Sequence, residues 1–155
     1  KQTCGEFDDK LKEKCLEMIV SLPPEPVYIE ADPRRIWRVV ENLFSNVCKY
    51  ALEGTRVYLE IRRVRQDDRE IAVFTMKNIS AQALNIRADE LTERFIRGDI
   101  SRSTEGSGLG LSIAQNLTTL QKGTFEIYLD GDLFKVQIGF SCLDVPQPEI
   151  EIQMR

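Results

Sequence analysis

Two asparagines and a lysine in "ENLFSNVCKYA", Glu41 to Ala51, share one stripe of a helix. At roughly 100° per residue Asn42, Asn46 and Lys49 fall together, while Ile36, Val40, Leu43 and Val47 centre on another face. Asparagine is a mediocre helix former, because its amide competes for nearby backbone groups, and exposed positions ordinarily go to Glu, Lys, Gln or Arg. The stripe is either a solvated polar face or one whose residues serve something other than helix stability. A second stretch, "TEGSGLGLS", alternates Gly106, Gly108 and Gly110 just ahead of a helix. Glycines there let backbone N–H groups approach an anion, and the helix dipole adds attraction for phosphate. No Gly-Lys-Ser/Thr follows, so it is not a Walker loop. A helix and loop precede it instead of a strand, so it is not a Rossmann fingerprint. Alone it also reads as a mobile linker.

These residues need elements to hold them. "GEFDDKLKEKC" is charged and loosely helical, and "LEMIVSLPPEPVYIEAD" suggests a pair of strands around a Pro-Pro turn. Asp32 is an N-cap and Pro33 suits the first helical position, so the asparagine helix runs from there to about Tyr50, with Trp37 and Phe44 expected in the core and "EGTR" ending it. "RVYLEIRRV" and "EIAVFTMKN" form a hairpin around "RQDDR"; "TFEIYL" and "LFKVQIGFS" form another around "DGD". Between the hairpins lie "ADELTERFIRGD", helical in its first part, the glycine loop, and the helix "GLSIAQNLTTLQK", which stops at Gly123. Helices and mostly antiparallel strands in blocks imply an α+β two-layer sandwich with helices on one sheet face.

At 155 residues and 42% hydrophobic content the chain has the size and core of one domain. Its net charge of -4, with both signs interspersed, excludes the basic clusters of a nucleic-acid or anionic-membrane binder. The four cysteines have no CxxC spacing and the chain has no histidine, so they match no zinc pattern and read as reduced, cytosolic thiols. No apolar run reaches membrane-spanning length, and Lys1 suggests a piece of a larger protein.

In order and distance, "ENLFSNVCKYA", "KNIS", "LTERFIRGD" and "GSGLGLSIAQNL" resemble the ATP-binding domains of bacterial sensor histidine kinases, from about Leu16 to Leu143. The superfamily includes gyrase, the ninety-kilodalton heat-shock chaperone and mismatch-repair ATPases. The resemblance implies the Bergerat-type ATP-binding fold, a mixed, mostly antiparallel sheet with helices on one face. It implies ATP and Mg2+ as cofactors, with Asn46 as the metal-coordinating asparagine, its amide oxygen a suitable hard ligand. Asn42 lines the same site, Lys49 reaches the phosphates and Tyr50 borders the nucleotide. Arg97 matches the arginine that reaches the terminal phosphate, with Phe95 as its packing anchor. Gly106, Ser107, Gly108, Leu109, Gly110 and Leu111 match the glycine box that closes the lid over the phosphates. By the same resemblance, residues 1–15 are the exit from an upstream dimerisation hairpin, 16–143 the catalytic domain and 144–155 a tail that is a loose end or an extra edge strand.

Two departures bear on the base. The family's Asp-x-Gly-x-Gly, whose aspartate accepts from the adenine amino group, reads Asn78, Ile79, Ser80, Ala81, Gln82 here, and its Gly-Thr pair reads Gly131-Asp132. Asn78 and Ser80 are thus the expected base-side residues, and an amide free to turn over serves guanine as well as adenine. The superfamily's hydrolases place a glutamate four residues before the metal asparagine to activate water; that position is Asn42, with Glu41 about 100° away on the helix surface. A transferase remains: a cytoplasmic catalytic domain, its parent anchored in the membrane, passing phosphate to a histidine on a dimerisation domain outside this chain and serving a response regulator downstream. The alternative is a degenerate nucleotide-binding or docking module without phosphotransfer.

Overall fold

A computed structural model describes residues 2–84 and 110–144. Eight elements follow in order: α1 (Gln2–Glu13), β1 (Glu17–Ser21), α2 (Pro33–Tyr50), β2 (Arg56–Gln66), β3 (Arg69–Ile79), α3 (Gly110–Leu120), β4 (Thr124–Asp130) and β5 (Leu133–Ser141). The strands make one sheet in the order β1-β2-β3-β5-β4, with β1 parallel to β2 and every other pairing antiparallel. This is the expected two-layer sandwich.

Local chemistry sets the boundaries. The Asp32 carboxylate accepts from the N–H groups of Arg34 (2.8 Å) and Arg35 (3.4 Å), which satisfies two donors at the start of α2, and Pro33 follows where its missing N–H costs nothing. Asp67 and Asp68 both take positive φ, 47° and 60°, which gives the β2–β3 hairpin its two-residue turn. Only one strand forms in "LEMIVSLPPEPVYIEAD". Pro23, Pro24 and Pro26 lack N–H donors, and the rest of that stretch offers only an isolated bridge from Ile29 to Cys142. The end of α3 also differs from the expected glycine stop. Lys122, not Gly123, takes the left-handed conformation (φ 62°), and the Gly123 N–H donates to the Thr118 carbonyl at 3.0 Å. Gly123 is needed for space, since a Cβ there would stand 2.7 Å from the Phe140 ring and 2.8 Å from Thr118 Cγ2.

The inward face of the sheet carries Leu59, Met76, Val136 and Ile138, which close on Val39, Leu43, Phe44 and Val47 of α2 and on Leu111 and Ala114 of α3. Phe7 and Leu11 of α1 belong to the same core, with the Phe7 ring stacked on Phe44 at 5.4 Å. Trp37, expected inside, is half-buried and outside the buried cluster. On the outward face, Tyr58, Lys77, Lys135 and Tyr128 form one cross-strand row. Two lysines directly opposite would repel, but each ammonium lies over its own tyrosine ring, at 5.4 and 4.6 Å.

Candidate functional site

The helix α2 turns Leu43, Phe44 and Val47 into the core and leaves Asn42 and Asn46 half-buried and Lys49 exposed, so the sequence stripe survives as a distinct face. Asn42 Nδ2 donates to the Arg38 carbonyl at 2.8 Å, one turn back. That bond fixes the amide and directs its oxygen at α3. A Cβ built on Gly110 would meet Asn42 Oδ1 at 3.2 Å, so the first residue of α3 lies directly against the stripe. Gly110, the described start of the second stretch, therefore lies beside the stripe of the first. Leu111, the next residue, is 3% exposed and part of the core, so only its backbone is available to a ligand. Ser112 lies one residue further along α3.

The C-terminal end of α2 is laced to the end of β3. Leu52 N–H donates to the Ile79 carbonyl and Ala81 N–H to the Tyr50 carbonyl, both at 2.8 Å, and Ala51 bridges Ser80. Lys49 and Tyr50 are thereby held beside the strand end that carries Asn78. Lys14 Nζ caps the Lys49 carbonyl at 3.1 Å, while the Lys49 ammonium has no ion-pair partner among the described residues. Ser80 is buried. Its N–H donates to the Asp132 carbonyl at 2.8 Å, and its Oγ accepts from Gln82 N–H at 3.2 Å. Asp132 thus supports the loop after β3 through its backbone carbonyl.

Asn78 occupies the last inward position of β3 in step with Phe74 and Met76, and is 2% exposed. Its Nδ2 donates to the Ile79 carbonyl at 3.2 Å, and its Oδ1 is the one buried side-chain polar atom among the described residues without a partner. An orphaned buried acceptor is costly, so a donor brought to it would be stabilised. The exocyclic amino group of adenine is such a donor. Turning the amide over would set Oδ1 against the Ile79 carbonyl, so the amide presents an acceptor as an aspartate would. The free rotation expected from sequence is opposed by this bond.

Asn46 makes no side-chain hydrogen bond among the described residues, and its amide oxygen suits a hard cation that retains waters. Arg97, Phe95, Gly106, Ser107, Gly108 and Leu109 lie outside the described residues. Sequence reasoning did not find the Arg38 carbonyl that orients Asn42 or the Ile79 carbonyl that orients Asn78, because backbone acceptors leave no mark in residue type.

Residues 31–142 match the family described as histidine kinase-, DNA gyrase B- and HSP90-like ATPase. The chain belongs to this family. Within it, the relatives are sensor kinases. The sensor histidine kinase WalK of Bacillus subtilis is 31% identical over 114 residues, which cover 72% of this chain and 18% of that protein. RppB of Synechocystis is 29% identical over 128 residues, 79% of this chain and 27% of the relative, and TcrY of Mycobacterium tuberculosis, described as a probable sensor histidine kinase, is 33% identical over 110 residues, 70% and 22%. The chain thus spans about a fifth to a quarter of those relatives' length. The solved catalytic domain of histidine kinase ThkA shares its fold with a TM-score of 0.70 at 20% identity, covering 90% of this chain and 88% of that one. Full-length ShkA, solved in complex with AMPPNP, superposes with a TM-score of 0.71 at 20% identity, over 94% of this chain and 30% of that one. The chain is the histidine-kinase form of the family's ATP-binding catalytic domain.

Proposed function

We propose that this domain binds ATP with Mg2+ and transfers the γ-phosphate to a histidine on a dimerisation segment of its parent protein. The observation that carries the reading is the contact between Gly110 and Asn42, which brings the anion-binding start of α3 to the amide-and-ammonium stripe of α2. Asn46 offers the metal its oxygen, Asn42 and Lys49 face the phosphates, Tyr50 borders the nucleotide, and Asn78 with Ser80 holds the base. Arg97 and the backbone of Gly106 to Gly110 complete the phosphate side. When bound, Mg2+ neutralises charge on the transferring group.

The chain's own residues position the nucleotide and perform no proton abstraction. Asn42, where the hydrolases carry a base, is a neutral amide whose Nδ2 is already committed to Arg38. Water is therefore left unactivated, and electrostatic positioning favours transfer to a nucleophile held by another segment. With no histidine in this chain, the acceptor is supplied from outside it. We assign the domain to the cytoplasmic side of a membrane-anchored sensor with a response regulator downstream; among the described residues no helix is long and apolar enough to cross a membrane.

The test is to mix the domain with γ-labelled ATP, Mg2+ and a separately produced histidine-bearing dimerisation segment. Acid-labile label on the segment is the expected result. Nucleotide binding without label transfer, or no thermal stabilisation at millimolar Mg-ATP, would instead support a docking module whose altered base box no longer serves catalysis.

A further inference from the structure

The stripe that carries Asn42, Asn46 and Lys49 does not stop at Asn42. At about 100° per residue and about 1.5 Å of rise, Arg38 falls about 20° from Lys49 and about 40° from Asn42 around α2, and about 6 Å beyond Asn42 along its axis. Its side chain is exposed and has no ion-pair partner among the described residues. Arg35 lies on the same stripe, nearer the start of the helix, but pairs with the Asp32 carboxylate at 3.6 Å.

We propose that Arg38 is a further phosphate-side residue of this domain, its guanidinium gripping the terminal phosphate of ATP at the end of the site away from the base. This rests on the reading of the α2 stripe as the phosphate side of a nucleotide site. The Tyr50 end of α2 is bonded to the strand end that carries Asn78, so a nucleotide with its base there extends its phosphates back toward Asn42 and Arg38. Side chains lean toward the N-terminus of their helix, and the Asn42 amide accordingly lies over the turn that begins at Arg38, bonded to its carbonyl. An anion held between Asn42 and the start of α3 at Gly110 is then within one turn of Arg38. At the far end of the helix pair, the Asp32 N–H donates to Gln121 Oε1 at 2.8 Å, just past α3. The two helices therefore run antiparallel, and Arg38 lies between their two contacts.

The residue type suits the task. A guanidinium is planar and presents paired donors that match phosphate oxygens, and it adds positive charge where a transferring phosphoryl group spreads its negative charge over three oxygens. Asn42 and Asn46 are neutral, and Lys49 stands at the base-side end of the stripe. Arg38 is thus the unpaired charge of this stripe placed to distinguish a triphosphate from a diphosphate.

The experiment is calorimetric titration of the 155-residue chain with Mg-ATP and with Mg-ADP, for the parent and for Arg38→Gln, Arg38→Lys and Arg34→Gln. Asn42 is held by the Arg38 carbonyl and not by its side chain, so the substitutions leave that amide in place. Arg38→Gln should lower ATP affinity about tenfold and leave ADP affinity unchanged, with Arg38→Lys in between because it keeps the charge without the fork. Arg34→Gln, one turn further from Asn42, should change neither. An ATP-to-ADP affinity ratio unchanged by Arg38→Gln, or shifted as far by Arg34→Gln, would overturn the assignment of Arg38 while the nucleotide site stands. A parent that binds neither nucleotide would overturn the reading of the site, and this proposal with it.

Discussion

Asn42 Oδ1 lies 3.2 Å from the position a Cβ on Gly110 would take, and the Nδ2 of the same amide is tied to the Arg38 carbonyl, so the amide has little room to yield. Gly110→Ala should therefore disturb the site more than the fold. We expect ATP affinity to fall several-fold while the thermal midpoint changes little, since alanine is the better helix former. Calorimetric titration and thermal melting of one sample read both. Gly123→Ala is the contrast: its Cβ would run into the Phe140 ring and Thr118, and should cost about 1–3 kcal/mol of stability.

Asn46 is half-buried on the polar side of α2 and has no side-chain partner among the described residues. Asn46→Ala should leave stability within about a few tenths of a kcal/mol and abolish the magnesium-dependent part of nucleotide binding. Titrations with and without Mg2+ check this, and undiminished Mg-ATP binding would remove Asn46 from the metal site.

Asn78→Asp replaces the donor that binds the Ile79 carbonyl with a second acceptor, in a position that is 2% exposed. Two oxygens then face each other, so the free domain should lose about 1–3 kcal/mol in denaturant unfolding. Because the amide already presents only its oxygen, the parent should prefer ATP over GTP. Competitive displacement of a fluorescent nucleotide measures the ratio; equal affinity for both nucleotides would show that the amide turns over.

The Cys48 thiol is raised above its ordinary value by burial, with Lys10 and Lys14 opposing the shift in part. Less thiolate means slower alkylation, so at pH 8 iodoacetamide should label exposed Cys15 well before Cys48, as mass spectrometry of the timed reaction would show. Since the folded-state value is the raised one, the native protein keeps a proton that the unfolded chain gives up. Stability is thus full below the ordinary thiol value near 9.0 and falls as pH rises from there through the folded value. Cys48→Ala should flatten that alkaline loss.

Residue type and spacing alone determined the two hairpins, the capped helix from Pro33 to Tyr50, the separation of its polar stripe from its core stripe, and the glycine-led helix that follows. These are local properties: period, cap chemistry and turn conformation depend on near neighbours along the chain. The tertiary structure decided the rest. Parallel pairing of β1 with β2 joins segments whose registry no local signal encodes, and the prolines after β1 removed the second strand that its apolar pattern suggested. Gly110 and Asn42 are far apart in sequence, so that only packing of α3 on α2 shows why a glycine stands there. Asn78 makes the same point from the other side of the site. Its replacement of an aspartate was legible, but its behaviour as a fixed acceptor depends on a backbone carbonyl whose direction the folded strand end sets.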